Sequence, residues 1–359
     1  MRKPTGRALK RGALVAGSLA IIAATFVYFL PQIASYGQVW NVVKQLSWGE
    51  VAALAGATAV NLATFAPQWM VALPGLSFVQ AEIVTQASTA LSIVLPAGIA
   101  AGVAGSYGIL RAWGFARSDI TRALTVTSIW NQFLNLGFPI VAVFWLTVAG
   151  DSTAALATVA FVGVAILGVA IAVFVLILVN DRLARDIGNV AARVANWALA
   201  KVHRGPVKWS GASFERFRSD VAGFVERRWL PLTLTSLLGN LTVFALLVVS
   251  LRVFGVTSGQ VDLAEAFAAW AVARLVGSIP ITPGGIGVIE LALTGTLIGF
   301  GGDNAKVVAA VLVYRFLQTV PTLVLGLTSA FTWRRHRRPA AEETAVGTPT
   351  TGKVDSLGR

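Results

Sequence analysis

The chain has 359 residues, 56% of them hydrophobic and only 13% charged, with a mean hydropathy of +0.73; apolar stretches of about 20 residues recur along it, which excludes a soluble domain, whose surface needs far more charge. The net charge of +13 sits in particular loops and tails rather than on patches of interleaved basic and aromatic residues, so it reads as membrane topology and contact with anionic lipids, with no nucleic-acid partner. Without cysteine there is no disulfide, thiolate metal site or thiol nucleophile, and with only His203 and His336, both in basic stretches, neither a metal centre nor another cofactor is expected.

Arg2, Lys3, Arg7, Lys10 and Arg11 precede an apolar run over residues 13–30. A cleaved signal sequence shares that order, but the run is long and no small-residue cleavage pattern follows, so a retained first span with a cytoplasmic N-terminus is expected. Val39, Trp40, Val43 and Leu46 recur at helical spacing opposite Gln38, Asn41 and Lys44, which suggests a short helix in the outer interface. Ser47 and Glu50 stand at capping-box spacing before a second span over residues 51–71.

A third helix over residues 78–95 ends at Pro96, and the small-residue stretch beyond it reaches Arg111. Each piece is short for a full span, so the pair reads either as two crossings or as a re-entrant hairpin. Gly98, Gly102, Gly105 and Gly108 read as close helix packing. Arg111, Arg117 and Arg122 mark the cytoplasm, and Ser118 is the expected cap of a helix over residues 119–148 that contains Trp130, Asn131, Gln132 and Pro139. Residues 153–179 return as a clean apolar span. The region 181–228 holds Arg182, Arg185, Arg193, Lys201, Arg204, Lys208, Arg216, Arg218, Arg227 and Arg228, and its apolar residues Val190, Val194, Trp197 and Leu199 suggest amphipathic helices on the inner leaflet.

Pro231 is expected to open the second half, with a span over residues 232–253 and a short helix over 263–279. Pro280, Pro283, Gly284, Gly285 and Gly287 then interrupt an otherwise apolar stretch bounded by Arg274 and Glu290. Such a break leaves peptide groups without helical partners, which hydrocarbon tolerates only where protein or water covers them. Helices over 288–298 and 305–332 follow, and Arg334, Arg335, His336, Arg337 and Arg338 precede a tail expected to be disordered. The chain accordingly divides into a basic N-terminus and first span (1–35), a first membrane half (36–180), a basic cytoplasmic region (181–229), a second membrane half (230–333) and a cytoplasmic tail (334–359).

The breaks at Pro96 and Pro283 occupy corresponding places in the two halves, with Trp113, Gly114 and Phe115 matched by Ile298, Gly299 and Phe300, Asn131 and Gln132 by Arg315 and Gln318, and Pro139 by Pro321. The first pair starts and ends beside cytoplasmic arginines, the second beside Asp262 and Asp303 on the other side. That arrangement implies halves related by an inverted two-fold in the membrane plane.

Arg274 and Arg315 fall within membrane helices, where a central arginine costs at least about 2.5 kcal/mol and needs a counter-charge, a cavity or an anionic ligand. Glu290 is the acidic partner for either one. An arginine–glutamate pair that only locks the broken helices together is the structural alternative to a ligand role. Two arginines and one acid leave a positive charge over, and a guanidinium fork suits phosphate oxygens. Amides freed around Gly284, Gly285 and Gly287 at a helix N-terminus would add donors for the same anion. The candidate phosphate-headgroup site therefore comprises Arg274, Thr282, Pro283, Gly284, Gly285, Gly287, Glu290, Arg315 and Gln318, with Asn131 and Gln132 from the first half. Glu82 reads as a cap or a group that reaches water, and Asn61, Gln68 and Asn240 as hydrogen bonds between helices. No paired carboxylates, nucleophile with a base or phosphate loop is present, so no enzyme activity is expected.

The string Thr282-Pro-Gly-Gly-Ile-Gly-Val-Ile-Glu290, with Arg315 in the following span and the earlier Leu95-Pro-Ala-Gly break, resembles the lysylphosphatidylglycerol synthase transmembrane-region family of flippase-like membrane proteins. The chain departs from the family's commoner first-half pattern, in which a Pro-x-x-x-Gly-Glu string precedes an arginine: Val103 follows Gly102, although Arg111 keeps the arginine. Some family members carry a cytosolic aminoacyl-transferase domain, whereas this chain looks like the stand-alone membrane unit. The expectation is an all-α polytopic integral membrane protein of about eight helical segments in two inverted repeats with broken or re-entrant helices. Its expected work is moving an anionic phospholipid or polyprenyl-phosphate-linked lipid between leaflets of the cell membrane. The alternative is a non-transporting partner of a lipid-modifying or glycosyl-transfer enzyme.

Overall fold

A computed structural model describes residues 44–95, 98–149, 154–180, 211–278 and 283–332, with isolated positions between 181 and 210. The expected first span, most of the helix before Leu46, the amphipathic helices before residue 211, Thr282 and the C-terminal tail lie outside the described residues. The described residues are α-helical apart from turns, without a strand.

Helix α1 (Trp48–Ala63) begins where the sequence places it, with Glu50 N–H donating to Ser47 Oγ at 3.3 Å and Ser47 N–H donating to Glu50 Oε2 at 2.8 Å. After Thr64 and Phe65 the chain continues as α2 (Ala66–Ala72), whose first turn accepts Pro67 because that position has no intrahelical N–H bond to lose. The two form one apolar span, Trp48–Ala72. Helices α3 (Phe78–Val94) and α4 (Gly98–Ala112) flank the Pro96 break, and α3 opens on a Ser77–Gln80 capping box. Then come α5 (Arg117–Ala149), α6 (Ala154–Val179), α7 (Gly211–Val253) and α8 (Leu263–Gly277), the last capped reciprocally by Asp262 and Glu265. A 3-10 turn (Pro283–Gly285) precedes α9 (Val288–Gly299) and α10 (Asn304–Thr332).

Besides Trp48–Ala72, the segments Arg117–Val148, Glu215–Val253 and Asn304–Ser329 are long and apolar enough to cross a bilayer, so the chain is a polytopic helical membrane protein. Helices α3, α4, α8 and α9, of 17, 15, 15 and 12 residues, each fall short of the ~20 residues of a full crossing.

Two local expectations shift. Helix α5 starts at Arg117, so Ser118 lies inside its first turn rather than capping it. Pro231 does not open a helix: α7 runs through it for 43 residues, roughly 65 Å at 1.5 Å per residue and about twice the hydrocarbon thickness. A proline inside a helix removes one N–H, and the carbonyl it orphans belongs to the exposed Arg227, where water can replace the bond.

The two broken pairs exchange partners. Helix α3 packs on α4 and along α10, and α8 packs on α9 and along α5. Apolar side chains gather in two separate cores. One joins Ala66, Leu73, Val84, Leu110, Trp113, Ile120, Val126 and Leu232. The other joins Phe138, Leu146, Val243, Leu247, Phe267, Trp270, Leu293 and Val311. On α5 the first core ends at Val126 and the second begins at Phe138; on α7 they end and begin at Leu232 and Val243. Between those limits Asn131, Gln132 and Asn135 on α5 and Thr233, Ser236, Asn240 and Thr242 on α7 are interspersed with Trp130, Leu134 and Leu237, which pack on one core or the other.

Candidate functional site

The Pro-Gly-Gly break is held by left-handed backbone at Gly284 (φ +64°), Gly285 (φ +67°) and Gly287 (φ +85°), a region open to glycine at little cost. The last of these is the N-cap of α9. Its N–H donates to Oε2 of Glu290 at 2.7 Å, so the carboxylate three residues on closes the helix start. Glu290 Oε1 accepts from Nε of Arg315 on α10 at 2.6 Å. The same guanidinium donates to the carbonyl of Gly284 at 3.1 Å and to Oε1 of Gln318 at 3.3 Å. Both side chains of the pair are nearly buried, at 13% and 9% exposure. The structure thus assigns Glu290 to Arg315, and the Gly287 amide expected as a donor for a ligand is already taken by Glu290.

Arg274, near the end of α8, is placed differently. Its Nη2 and Nε donate to Oδ1 of Asn135 on α5 at 3.0 and 3.3 Å, and its guanidinium carbon lies 5.3 Å from the ring centre of Trp270. Neither partner carries a negative charge. Trp270 is itself fixed in an aromatic cluster with Phe138, Phe244 and Phe267, so it offers Arg274 a rigid face. Buried Tyr314, one position before Arg315, stands near both arginines. Arg274 is half-buried and flanked by Val272 and Leu275, which face outward.

Asn135 was not singled out by the sequence, yet it joins α5 to α8. Its amide donates to Oε1 of Gln132 at 3.1 Å while its oxygen accepts from Arg274. Gln132 is exposed. Asn131 turns elsewhere and accepts from Gln68 of α2 at 3.2 Å. The three polar residues share one turn of α5, and the signal available in the sequence was the i, i+3, i+4 spacing of Asn135 from Gln132 and Asn131.

The other polar readings divide. Asn61 donates to Thr242 across α1 and α7, and Gln68 bonds across α2 and α5, as expected. Asn240 instead donates to the carbonyl of Ser236 within α7. Glu82 accepts from Gln86 one turn on, and its other oxygen is buried without a partner. A Cβ on Gly98, Gly102 or Gly105 would run into α3 at Ser92, Ser88 or Leu91, whereas Gly108 faces open space, so three of the four glycines serve close packing. Arg111 donates to the carbonyl of Phe115 at 2.8 Å and finishes α4. Thr282 lies outside the described residues.

The charges at this level are therefore a closed pair, Glu290 with Arg315, and an arginine held by neutral groups. A closed pair fixes geometry. A guanidinium bound by an amide oxygen and an aromatic face retains its positive charge and N–H groups suited to an oxyanion. No cluster of three metal-ligating side chains occurs among the described residues.

Comparison with curated proteins finds no match. The profile of the family described as lysylphosphatidylglycerol synthase TM region matches residues 15–326, which includes the Pro-Gly-Gly break, Arg274, Glu290 and Arg315. The chain belongs to the lysylphosphatidylglycerol synthase transmembrane-region family.

Proposed function

We propose that this protein moves an anionic phospholipid or polyprenyl-phosphate-linked lipid between the leaflets of the cell membrane, with both termini cytoplasmic and no catalytic step of its own. The observation that carries the reading is Arg274. A guanidinium in a membrane helix needs a counter-charge, a cavity or an anionic ligand, and its partners among the described residues are Asn135 and Trp270, with Tyr314 nearby, none of them a carboxylate. A lipid phosphate supplies the missing charge. The Arg315–Glu290 pair then holds the Pro-Gly-Gly break in place beside it.

The exchanged packing of α3 on α10 and α8 on α5 supports two halves of inverted topology, and the short lengths of α3, α4, α8 and α9 suit pairs that turn back within the membrane. The test is reconstitution of the purified protein in liposomes with a fluorescent phosphatidylglycerol, followed by quenching of the outer leaflet. Arg274→Ala should slow lipid movement about tenfold or more, since a charge-assisted hydrogen bond is worth roughly 1.5–3 kcal/mol. Equal rates for the variant and the parent would overturn the role given to Arg274.

The closed geometry of Arg315 and Glu290 favours a second reading, in which the membrane unit is a rigid partner for a lipid-modifying or glycosyl-transfer enzyme. Under it, empty liposomes and liposomes with protein show the same lipid movement. It leaves the charge of Arg274 without a purpose, which is why transport is preferred.

A further inference from the structure

Helix α5 carries Thr121, Thr125, Ser128, Gln132 and Asn135 at alternating steps of four and three residues, which puts all five on one side of the helix. Thr121, Ser128 and Gln132 are exposed, and Thr125 and Asn135 are half-buried. A face turned to hydrocarbon should look otherwise, and elsewhere on α5 it does, where Val141, Phe144 and Val148 are exposed at 51%, 69% and 70%. The polar line also has a definite end. One and two turns beyond Pro139 the same side of the helix carries Ala142 and Leu146, both 2% exposed and built into the aromatic core.

Arginines stand at both ends of the line. It begins in the turns that hold Arg117 and Arg122, the latter paired with Asp119 at 3.2 Å, and it stops at Asn135, whose oxygen holds Arg274. Thr121 Oγ1 already donates to the carbonyl of Arg117 at 2.8 Å, and Gln132 Oε1 accepts from Asn135 at 3.1 Å; hydroxyls and amides in a membrane cost free energy where nothing answers them. A row of them open to the outside, leading from arginines at one end of the helix to the neutral-partnered arginine near its middle, fits an anionic headgroup that moves while its acyl chains stay in lipid.

We propose that the Thr121–Thr125–Ser128–Gln132–Asn135 face of α5 is the track along which the lipid headgroup passes between the cytoplasmic surface and Arg274. This rests on the reading that the protein translocates lipid. Ser128 and Gln132 are the central steps, since both are exposed and neither belongs to an apolar core. Each offers a neutral donor and acceptor, so the phosphate is held weakly enough to move on.

The experiment uses the full chain in liposomes with fluorescent phosphatidylglycerol. The double variant Ser128→Leu/Gln132→Leu should slow lipid movement about tenfold, while Ser128→Thr/Gln132→Asn keeps most of the rate and Phe144→Leu, on the exposed apolar side of the same helix, leaves it unchanged. Native mass spectrometry of the leucine double variant should still find phosphatidylglycerol bound, because Arg274 and Asn135 are intact. If the parent moves lipid and the leucine variant does so at the same rate, the track is wrong and the transport reading stands. A loss shared equally by the threonine–asparagine variant, or by Phe144→Leu, also overturns the track, because polarity on this face is then not what matters. If the parent moves no lipid, the transport reading itself fails and the track with it.

Discussion

Nε of Arg315 lies 2.6 Å from Oε1 of Glu290, and that contact ties the middle of α10 to the first turn of α9. The carboxylate also accepts from the N-cap amide of Gly287, and the guanidinium donates to the carbonyl of Gly284, so four groups close around the break. Glu290 therefore satisfies two demands that the sequence left separate: an anion at a helix N-terminus, and a counter-charge for a membrane arginine.

Removing one side of this pair should be far worse than removing both. Glu290→Gln leaves Arg315 charged and nearly buried, a change that typically costs about 3–5 kcal/mol. The double variant Glu290→Gln/Arg315→Met should recover a large part of the loss. Thermal unfolding in detergent of the single and double variants gives the coupling energy. Additive losses would mean that the pair does not hold the break.

Asn135 offers a sharper test of the uncompensated arginine. Asn135→Asp is nearly isosteric and gives Arg274 an internal anion at the position where the amide oxygen now sits 3.0 Å from Nη2. Added phosphatidylglycerol should raise the melting temperature of the parent and leave that of Asn135→Asp unchanged, because the charge a lipid would supply is already present. The lipid-free variant should melt no lower than the parent. Asn135→Leu, which strips Arg274 of its acceptor, should melt lower.

The order of helices was legible because apolar runs and punctuation agree. Ser47 with Glu50 announced α1, and the paired prolines and glycines announced both breaks. Pro231 misled because its effect depends on whether water can reach the carbonyl at Arg227, and that is settled by how the rest of the fold leaves Arg227 exposed, a tertiary matter. At the site, the residue types that hydrocarbon rejects stood out, so Arg274, Glu290 and Arg315 were visible. Their pairing was not, since Glu290 is 25 residues from Arg315 and 16 from Arg274 in the chain, and only the packing of α9 on α10 decides between them. Asn135 escaped because an asparagine in a helix usually serves one interhelical bond, and nothing local says that its oxygen faces an arginine 139 residues away.

The glycines of the break should rank by what a methyl group meets there. All three sit at positive φ, so alanine costs roughly 1–2 kcal/mol of backbone strain at each. At Gly285 the added Cβ would also lie 2.6 Å from Ile289, at Gly284 it would lie 3.3 Å from Ile93, and at Gly287 it would meet open space. Melting temperatures should therefore fall most for Gly285→Ala, less for Gly284→Ala and least for Gly287→Ala. A reversed order would mean that the turn has another shape.

Gly326 tests whether the first broken pair is held by α10. A Cβ there would collide with Ala90 of α3 and come within 2.7 Å of the carbonyl of Gln86, and a backbone contact of that kind cannot be relieved by a rotamer change. Gly326→Ala should therefore push α3 away from α10. Gly223 on α7 has nothing within 4 Å of its own hypothetical Cβ, and Gly223→Ala should leave stability unchanged or raise it slightly by helix propensity. Because α3 reaches the Pro-Gly-Gly turn through Ile93, the Gly326 variant should also loosen Gly284 and its bond to Arg315. Hydrogen exchange measured over residues 283–290 reads that effect directly. Faster exchange in Gly326→Ala, with no change in Gly223→Ala, places part of the support for the charged break on α3; equal protection in both would confine that support to α9 and α10.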